Sequence, residues 1–398
     1  MLRYSRNELT ELLDEGAAYG VYISDGELKK NSDDINRILK ELGIRAKVSK
    51  FYGGPAYSEY MIRLNDHEAY RDLEAHSEEI RKRMDVKSFR IMNERIYLSS
   101  REVSVEMSNR VISEVRLRDF FEDFRFRSSL MTIPLGSGTH RRSVTNLSDS
   151  LIVGGSDRNE VGGFLYSSIM SLICSADPGD LGIIIAGSDD CGFSEFSEIP
   201  HLKRPVLRTA DEVFESLKIL KEDLASRYDM FYDRQSRSYM DYNRRVRFSR
   251  GEQVPNILFM ISDISLIKGR EDIIDLLRHV ILRGRNAGIC FMIAGSGKEG
   301  GEMIGRIKDL IDNRVSFRTE TEEISRMILD LGKAVTLLGT GDLIYSTPTD
   351  TVKLQSPEVT SEEIKRVADY IIENKEELYN RDLSSIRRRI RDKEDRLG

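Results

Sequence analysis

The stretch Leu151-Ile152-Val153-Gly154-Gly155-Ser156-Asp157-Arg158-Asn159-Glu160-Val161 joins an apolar, strand-like run to a glycine-containing loop and the start of a helix. A phosphate-binding loop of the pattern G-x-x-x-x-G-K-[ST] would lie here. That pattern needs a second glycine for close backbone approach, a lysine for phosphate and a hydroxyl for Mg²⁺. Counted from Gly154, those places hold Asn159, Glu160 and Val161. A carboxylate and a phosphate oxygen a few Å apart repel by roughly 1 kcal/mol in water, and several-fold more when partly buried. The stretch therefore predicts the strand, loop and helix of an α/β fold in a form unsuited to hydrolysing ATP.

The bulk composition is that of a soluble, folded chain with no strong overall charge. Its 398 residues are enough for two or three domains. Lys and Arg number 61 and Asp and Glu number 67, which gives a net charge of −6. Because the protein as a whole is not a polycation, any contact with nucleic acid must come from local basic patches.

Targeting signals and cysteine usage both point to the cytoplasm. No apolar run approaches the length of about eighteen residues that a membrane span needs, and the N-terminus lacks the apolar core of a signal peptide. The three cysteines, Cys174, Cys191 and Cys290, lack metal-type spacing and are expected to be reduced thiols. We therefore expect a cytoplasmic protein without a membrane segment.

The first third of the sequence predicts a lead-in followed by a small α+β domain. Residues 1–30 are acidic and weakly periodic, whereas residues 31–125 mix helical and strand-like patterns. The expected elements are a helix ending at Gly43, two strands around Gly53-Gly54-Pro55, a helix from Asp66 to Met84, and short strands at 88–92, 95–98 and 103–106.

Residues 126–372 change character and predict an α/β domain with a mostly parallel sheet flanked by helices. Apolar runs of the buried type are bounded by polar loops and separated by helical stretches. These runs lie at residues 151–153, 182–186, 257–261 and 289–294. A one-sided apolar stripe predicts a helix from Asp211 to Tyr232. Residues 373–398 form a charged tail that we expect to be a solvated helix or a frayed end, with a basic anchor as the alternative.

A series of short motifs follows in order along both parts. They are Gly54-Pro55 with Tyr60, Val103–Asn109 with Val115–Asp119, Ile199–Leu202, Pro205-Val206, Arg227-Tyr228, Asp241–Asn243, Arg285–Ile289, Ser325–Asp330 and Leu338–Tyr345. In these motifs and their spacing, from about Ile35 to Tyr370, the sequence resembles the FtsK/SpoIIIE family of double-stranded DNA translocases. The resemblance implies a RecA-like P-loop NTPase fold, ATP and Mg²⁺ as ligands, double-stranded DNA as the substrate, and a hexameric ring.

The departures from the family pattern fall on the groups that handle ATP. The family carries an Asp-Glu pair for Mg²⁺ and water activation where this chain has Ser262-Asp263, and a serine is a poorer Mg²⁺ partner than a carboxylate. The family's Thr-Gln-Arg-Pro sensor is replaced by Gly295-Ser296-Gly297-Lys298, and its Asp-Pro-Lys by Gly187-Ser188-Asp189. Because phosphoryl transfer depends on positioning and charge stabilisation, these losses together predict a loss of hydrolysis.

The resemblance also implies where the remaining functional residues lie. Asp263 is the remnant of the catalytic position, and Arg285 and Arg314 lie in segments that approach a neighbouring subunit in the family. These two arginines are candidates for acting on an adjacent subunit's nucleotide, and ordinary solvent-facing or ion-paired arginines fit the sequence equally well. The remnant of the nucleotide site comprises Gly154, Gly155, Ser156, Asp157, Arg158, Asn159, Glu160, Val161 and Lys298.

Candidate contacts to DNA are basic residues in loops that follow the core strands, or in the cluster before residue 257. The candidates are Lys203, Arg204, Arg244, Arg245, Lys268 and Arg270. Contacts of this kind are made to phosphate and are therefore independent of base sequence and sensitive to salt.

The sequence as a whole predicts a pseudo-ATPase of this family that acts as a DNA- or partner-binding ring subunit, as a homo-oligomer or beside an active paralogue. No bound cofactor or metal is expected, because the ATP and Mg²⁺ site is degraded. One alternative is an active ATP-dependent translocase in which Lys298 or Arg158 binds phosphate and Asp263 holds the metal. The other alternative is a structural interaction module that binds no nucleic acid. The family's winged-helix module and membrane segment are expected to be absent.

Overall fold

The structure, a computed structural model, describes residues 6–16, 22–97, 101–123, 129–140, 142–188, 192–247 and 252–374. The predictions that concern Asp189, Cys191 and residues 375–398 of the tail fall outside these ranges. Across the described residues, no helix combines the length and the apolar character that crossing a bilayer requires.

The small domain is an antiparallel sheet with helices on one face. In chain order, the first elements are α1 (Arg6–Glu11), α2 (Asp25–Glu41), β1 (Ala46–Gly53), β2 (Tyr57–Leu64), α3 (His67–Ala75), α4 (Ser77–Met84), β3 (Phe89–Tyr97) and β4 (Glu102–Ser108). The strand order is β1-β2-β4-β3. Helix α2 begins where the Ser24 hydroxyl accepts the Glu27 N–H (3.2 Å), which satisfies one of the unpaired amides at a helix start. Its apolar side packs with the sheet in one core that includes Ile35, Leu39 and Tyr60.

Two local predictions in this domain are wrong. The single helix expected from Asp66 to Met84 is two helices, because the backbone of His76 leaves the helical conformation (φ −99°, ψ 6°). The His76 ring nitrogen Nδ1 lies 2.8 Å from the Asp72 carbonyl, so the ring forms a hydrogen bond with a carbonyl group at the end of α3. The strands expected at 88–92 and 95–98 are one strand, β3, whose pairing with β4 is irregular between Met92 and Tyr97.

The second domain is built on a nine-stranded mixed sheet. Its elements are β5 (Thr132–Ser137), β6 (Arg142–Asn146), β7 (Leu151–Gly155), α5 (Arg158–Ile173), β8 (Leu181–Ala186), α6 (Ala210–Asp233), α7 (Tyr239–Val246), β9 (Asn256–Ile261), α8 (Glu271–Ala287), β10 (Ile289–Ser296), α9 (Gly297–Gly305), β11 (Arg314–Ser316), α10 (Glu322–Leu329), β12 (Asp342–Ser346), β13 (Thr351–Gln355) and α11 (Ser361–Glu373). The strand order is β6-β5-β13-β12-β11-β7-β10-β9-β8.

The strands that the sequence predicted for this sheet are parallel, and the remaining strands on one side of the sheet are antiparallel. The four apolar runs are strands β7 to β10, and these strands with β11 form the parallel half. Strands β12, β13, β5 and β6 continue the sheet in antiparallel pairs. The predicted α/β fold, with a flanked sheet preceded by a small domain, is confirmed.

Helices cover both faces of the sheet, and the N-terminal segment adds to one of them. Helix α5 packs in one core with Val153 and Ile183, whereas α6 and α8 pack in the other with Phe259 and Phe291. Leu9 and Leu13 are buried in the first of these cores. They are held there because the Asp14 N–H donates to Glu363 Oε1 (2.9 Å) and Asp14 pairs with Arg366 (2.6 Å). The predicted lead-in thus contributes α1 to the second domain and the start of α2 to the first, and the domain boundaries at 30, 125 and 372 stay predictions.

The two described cysteines lie inside these cores. Cys174 and Cys290 are buried and carry free thiols. Burial raises the pKa of each thiol to about 12, so both stay protonated at neutral pH and are poor nucleophiles.

The two domains meet through polar contacts between the small sheet and the hairpin of β12 and β13. The Tyr57 hydroxyl donates to Asp342 Oδ2 (2.7 Å). Lys353 Nζ donates to Glu106 Oε1 (2.7 Å) and lies 3.5 Å from the centroid of the Tyr57 ring. Buried polar contacts of this kind fix one relative orientation, because each group that loses its partner is costly to leave unpaired.

Candidate functional site

The segment that the sequence compares with a phosphate-binding loop lies at the carboxyl end of β7. Gly154 and Gly155 are the last residues of this strand and pair with Gly295 and Ser296 of β10. Helix α5 begins at Arg158, so only two residues separate the strand from the helix. A phosphate-cradling loop needs several free backbone N–H groups directed at the ligand, and this short connection offers few.

Two amides, one in this connection and one in the first turn of α5, have partners within the chain. The Ser156 N–H donates to the Arg318 carbonyl (2.8 Å). The Asn159 N–H donates to Asp157 Oδ1 (2.8 Å), so the N-cap carboxylate takes a position that an anionic ligand would need. The Ser156 hydroxyl accepts the Glu320 N–H (2.9 Å). The segment is thus bonded to itself and to the chain beyond β11.

Glu160, in the place of the lysine, is also bonded within the chain. Its Oε1 accepts the N–H of Gly341 (2.7 Å), which lies 181 positions further along the sequence. Burial raises the pKa of the Glu160 carboxyl above its usual range, and the Gly341 bond opposes that rise. The next residue, Val161, is 2% exposed and packs in the core, so it offers no group to a metal.

The remnant of the catalytic position, Asp263, forms an ion pair. Asp263 follows β9 and uses Oδ1 to accept the Ser265 N–H (2.9 Å). Its Oδ2 accepts from Arg158 Nη2 (2.9 Å). The neighbouring Ser262 hydroxyl is buried and has no hydrogen-bond partner among the described residues. Both oxygens of Asp263 are therefore engaged, and Arg158, which lines the cavity beside the segment, is paired with it.

The glycines of the segment are explained by packing. A Cβ on Gly154 would lie 2.5 Å from Ile328 Cδ1, and one on Gly155 would lie 2.8 Å from Phe317 Cβ. The second glycine-rich turn follows the same logic, because a Cβ on Gly300 would lie 2.5 Å from the carbonyl carbon of Gly295. These glycines let α10, β11 and α9 approach the strands, and a phosphate group is not needed to account for them.

We expect Gly154→Ala to destabilise the protein by about 1–3 kcal/mol, because the added methyl group overpacks a buried contact. Ile328→Ala removes the three atoms that would lie 2.5, 2.9 and 3.1 Å from that Cβ, and alone should cost about 2–5 kcal/mol. The double variant should lose less unfolding free energy than the two single variants lose in sum. Urea unfolding of the four proteins measures this coupling.

Gly162→Ala is the matched control, because a Cβ there meets nothing within 4 Å. Within helix α5 this change should leave stability unchanged or raise it by up to about 1 kcal/mol. A Gly154→Ala variant as stable as the unchanged protein would refute the packing explanation.

A cavity of about 540 Å³ lies beside the segment and has mixed charge. Its lining residues are Ser156, Asp157, Arg158, Glu160, Arg318, Thr319, Glu320 and Gly339. Of its charged residues, three are acidic, and Arg158 is neutralised by Asp263. No group of three or more His, Cys, Asp or Glu side chains in the described ranges is arranged to hold a metal ion. The residues present do not fit Mg-ATP, because three of the five charged side chains of the cavity are acidic, Arg158 is held by Asp263, and Glu160 stands in the place of the lysine.

The remaining candidates for nucleotide chemistry are dispersed. Lys298, at the start of α9, is exposed and lies 3.9 Å from Glu302. Arg285 pairs with Asp149 (2.5 Å). Arg314 is mostly buried, pairs with Asp330 and donates to the carbonyls of Lys308 and Ile311. Arg285 and Arg314 lie at the amino end of the parallel strands, at the opposite edge from the loop after β7. The structure therefore does not bring these arginines near their own chain's loop.

The six DNA candidates also divide between the two edges of the sheet. Lys268 and Arg270 follow β9 at the carboxyl edge, where Lys268 pairs with Glu299 (2.6 Å) and Arg270 pairs with Asp211 (2.6 Å) and Asp272 (2.8 Å).

The other four candidates lie at the amino edge. Lys203 Nζ donates to the Pro178 carbonyl (3.3 Å), and burial lowers the pKa of its ammonium group. Arg204 is half-buried, Arg245 pairs with Asp241 (3.3 Å), and Arg244 lines a cavity of about 390 Å³ that also contains Asp180. The candidates do not form one continuous basic surface, and three of the six are paired with carboxylates.

Sequence reasoning missed the residues that more distant elements contribute to the site and to the domain interface. They include Tyr57, Arg318, Glu320, Gly341, Asp342 and Lys353. Gly341 and Asp342 belong to the motif at residues 338–345, whose role the spacing alone did not indicate. Their contacts span 181 to 285 positions of sequence, and no local pattern encodes such a separation.

Comparison with known proteins agrees with the predicted family. Residues 9–109 match the FtsK alpha domain and residues 124–331 match the FtsK/SpoIIIE family. The DNA translocase FtsK of Helicobacter pylori (strain ATCC 700392 / 26695) is 24% identical over 384 residues, which covers 94% of this chain and 44% of that protein. The DNA translocase FtsK of Staphylococcus aureus (strain Mu50 / ATCC 700699) is 23% identical over 374 residues, 90% of this chain and 47% of that protein. The chain spans less than half the length of these relatives.

Solved structures support the fold. The pCW3 conjugation coupling protein TcpA, in its monomer form with ATPγS, has a TM-score of 0.60 at 14% identity and covers 87% of this chain and 99% of its own. The cytoplasmic domain of the Thermomonospora curvata type VII secretion ATPase EccC has a TM-score of 0.56 at 14% identity, over 65% of this chain and 34% of its own. These likenesses confirm the predicted RecA-like P-loop NTPase fold. With the family matched over more than half of its residues, this chain belongs to the FtsK/SpoIIIE family.

Proposed function

We propose that this chain is a pseudo-ATPase of the FtsK/SpoIIIE family, which keeps the motor fold and acts as a DNA- or partner-binding ring subunit. It would work as a homo-oligomer or beside an active paralogue. The observation that carries the proposal is that several of the groups a nucleotide would use are already bonded within the chain. The Ser156 and Asn159 amides, the Glu160 carboxylate and both oxygens of Asp263 have internal partners.

Binding of a triphosphate would have to break several of these bonds at once. Each partly buried polar group that loses its partner costs about 1–3 kcal/mol, and the incoming phosphates would also approach Glu160. A conventional site gains affinity from free amides and a lysine, whereas this site would first have to release Asp157, Arg158 and Glu160. This difference favours the pseudo-ATPase over the alternative of an active enzyme with a rewired pocket.

DNA contact is the less supported half of the proposal. Exposed ion pairs are worth about 0–1 kcal/mol each, so phosphate groups of DNA can compete for Lys268, Arg270 and Arg245. Each of these residues is nevertheless already paired with a carboxylate in the folded chain. This pairing supports the second candidate function, a structural interaction module that binds protein partners and no nucleic acid.

The proposal is tested by measuring phosphate release from ATP by the purified protein, with and without duplex DNA. We expect release at the background rate under both conditions and no effect of Asp263→Ala. Turnover that DNA stimulates and that Asp263→Ala abolishes would establish the active alternative instead.

Retention on duplex DNA at increasing salt separates the two binding roles. A DNA-binding subunit should lose affinity with a slope of about −0.9 in log–log form per phosphate that it neutralises. A slope of zero favours the structural module.

A further inference from the structure

Residues 338–341 form a loop beside the cavity at the end of β7, and its backbone groups are bonded on both sides. The N–H groups of Leu338 and Gly339 donate to the Asp342 carboxylate (2.8 and 2.9 Å). The Gly341 N–H donates to Glu160 (2.7 Å). The loop carbonyl of Thr340 accepts from Gln355 Nε2 (2.7 Å).

The carboxylate that organises this loop also receives the small domain. Asp342 is fully buried, and its Oδ2 accepts both the Leu338 N–H and the Tyr57 hydroxyl (2.7 Å). Burial, followed by the charge of Asp342, raises the pKa of the Tyr57 hydroxyl, so Tyr57 remains the proton donor. One carboxylate thus joins β2 of the small domain to the loop.

Two of the four loop residues are glycines with a left-handed backbone. Gly339 and Gly341 have positive φ values of 78° and 83°, in the region that glycine enters freely. Three bonds hold the loop from outside. Glu160, from the helix that follows β7, accepts the Gly341 N–H, whereas the Ser356 N–H donates to the Gly341 carbonyl (2.8 Å) and Gln355 Nε2 donates to the Thr340 carbonyl (2.7 Å).

We propose that Glu160 is an internal clamp that couples the cavity at the end of β7 to the orientation of the small domain, through Gly341, Asp342 and Tyr57. A group that enters the cavity and draws Glu160 away releases Gly341, moves the loop and weakens the contact of Tyr57 with Asp342. The clamp is a property of the folded chain alone. It goes beyond the proposed function and does not require that ATP or DNA be bound.

Two readouts on the full chain, without nucleotide, test the clamp. Hydrogen exchange measures the amides of residues 338–342. Modification of amines by an N-hydroxysuccinimide ester, read by mass spectrometry, measures access to Lys353, which is held at the interface by Glu106 and the Tyr57 ring. Labelling of the exposed Lys298 provides the reference rate.

Glu160→Ala should speed exchange of the loop amides by about tenfold or more, as a local opening of a once-bonded amide does. It should also raise labelling of Lys353 several-fold relative to Lys298. Glu160→Gln keeps an oxygen acceptor for Gly341 and should behave as the unchanged protein. Glu320→Ala removes another carboxylate from the same cavity and should also leave both readouts unchanged.

Tyr57→Phe should raise the labelling of Lys353 in the same way, and adding Glu160→Ala to it should produce no further increase. Protection of the buried Cys174 thiol in every variant confirms that the second domain stays folded. The proposal is overturned if Glu160→Ala speeds the loop but leaves Lys353 unlabelled, or if Glu160→Gln matches Glu160→Ala. Failure of either kind says nothing about ATP hydrolysis, so it is distinguishable from failure of the proposed function.

Discussion

Lys353→Ala should destabilise the protein by about 3–5 kcal/mol, the usual cost of removing one partner from a buried ion pair. Lys353 and Glu106 have side chains that are 17% and 13% exposed and lie 2.7 Å apart. Burial lowers the pKa of the Lys353 ammonium group, yet the pair and the face of the Tyr57 ring keep a charged group in place between the domains. The variant would leave the Glu106 carboxylate without this partner at the interface. Urea unfolding measures the loss.

Two further variants distinguish the effect of losing the ion pair from the effect of losing side-chain volume or an exposed lysine. The double variant Lys353→Met with Glu106→Leu fills the same space without charge and should lie close to the unchanged protein, because apolar replacement of a buried pair is often neutral or stabilising. Lys298→Ala removes an exposed lysine and should change stability by less than about 0.5 kcal/mol. A cost below about 1 kcal/mol for Lys353→Ala would mean that the pair is not a significant contact between the domains.

His201 should make the protein lose about 3 kcal/mol of stability as the pH falls from 7 to 4. The side chain is fully buried, and Nε2 lies 2.8 Å from the Ala176 carbonyl while Nδ1 has no partner among the described residues. Burial lowers the pKa of the ring to about 4, whereas an unfolded histidine titrates near 6.5. Because the folded pKa is the lower one, the unfolded chain takes up a proton first as the pH falls. Stability is therefore lost between about pH 6.5 and 4.

His201→Gln isolates this effect from the titration of carboxylates. The amide nitrogen of glutamine can still donate to Ala176, but the side chain does not titrate. We expect the unchanged protein to be the more stable of the two at pH 7, and this advantage to shrink by about 2 kcal/mol by pH 5. Guanidinium unfolding at a series of pH values measures the difference. An advantage that is constant with pH would show that His201 is not held neutral in the folded state.

The parts of the fold that the sequence predicted well are those with local periodic patterns. The stripe from Asp211 to Tyr232 became α6 (Ala210–Asp233), and the apolar runs became strands β7 to β10. The break at His76 was missed because the apolar spacing continues across it. The docking of α1 on α11 was missed because Asp14 and Glu363 are 349 positions apart.

In the candidate site, too, the sequence indicates the local features and does not indicate the long-range contacts. The loss of the lysine, the hydroxyl and the metal carboxylate can be read from the sequence, because each is defined by a residue type at a fixed position in a motif. The partners that occupy the site are not, because Glu160 meets Gly341 and Arg158 meets Asp263 only after the sheet has formed. The packing role of Gly154 was likewise hidden, as it depends on Ile328 from a distant helix.

The most direct test of the central claim, that the site does not hold Mg-ATP, is the unfolding temperature of the pure protein with increasing Mg-ATP up to millimolar concentrations. A ligand at a hundred times its Kd adds about 2.7 kcal/mol of stability, which raises the melting temperature by several degrees in a protein of this size. We expect no saturable rise. A saturable rise of that size, lost in Asp263→Ala, would contradict the account.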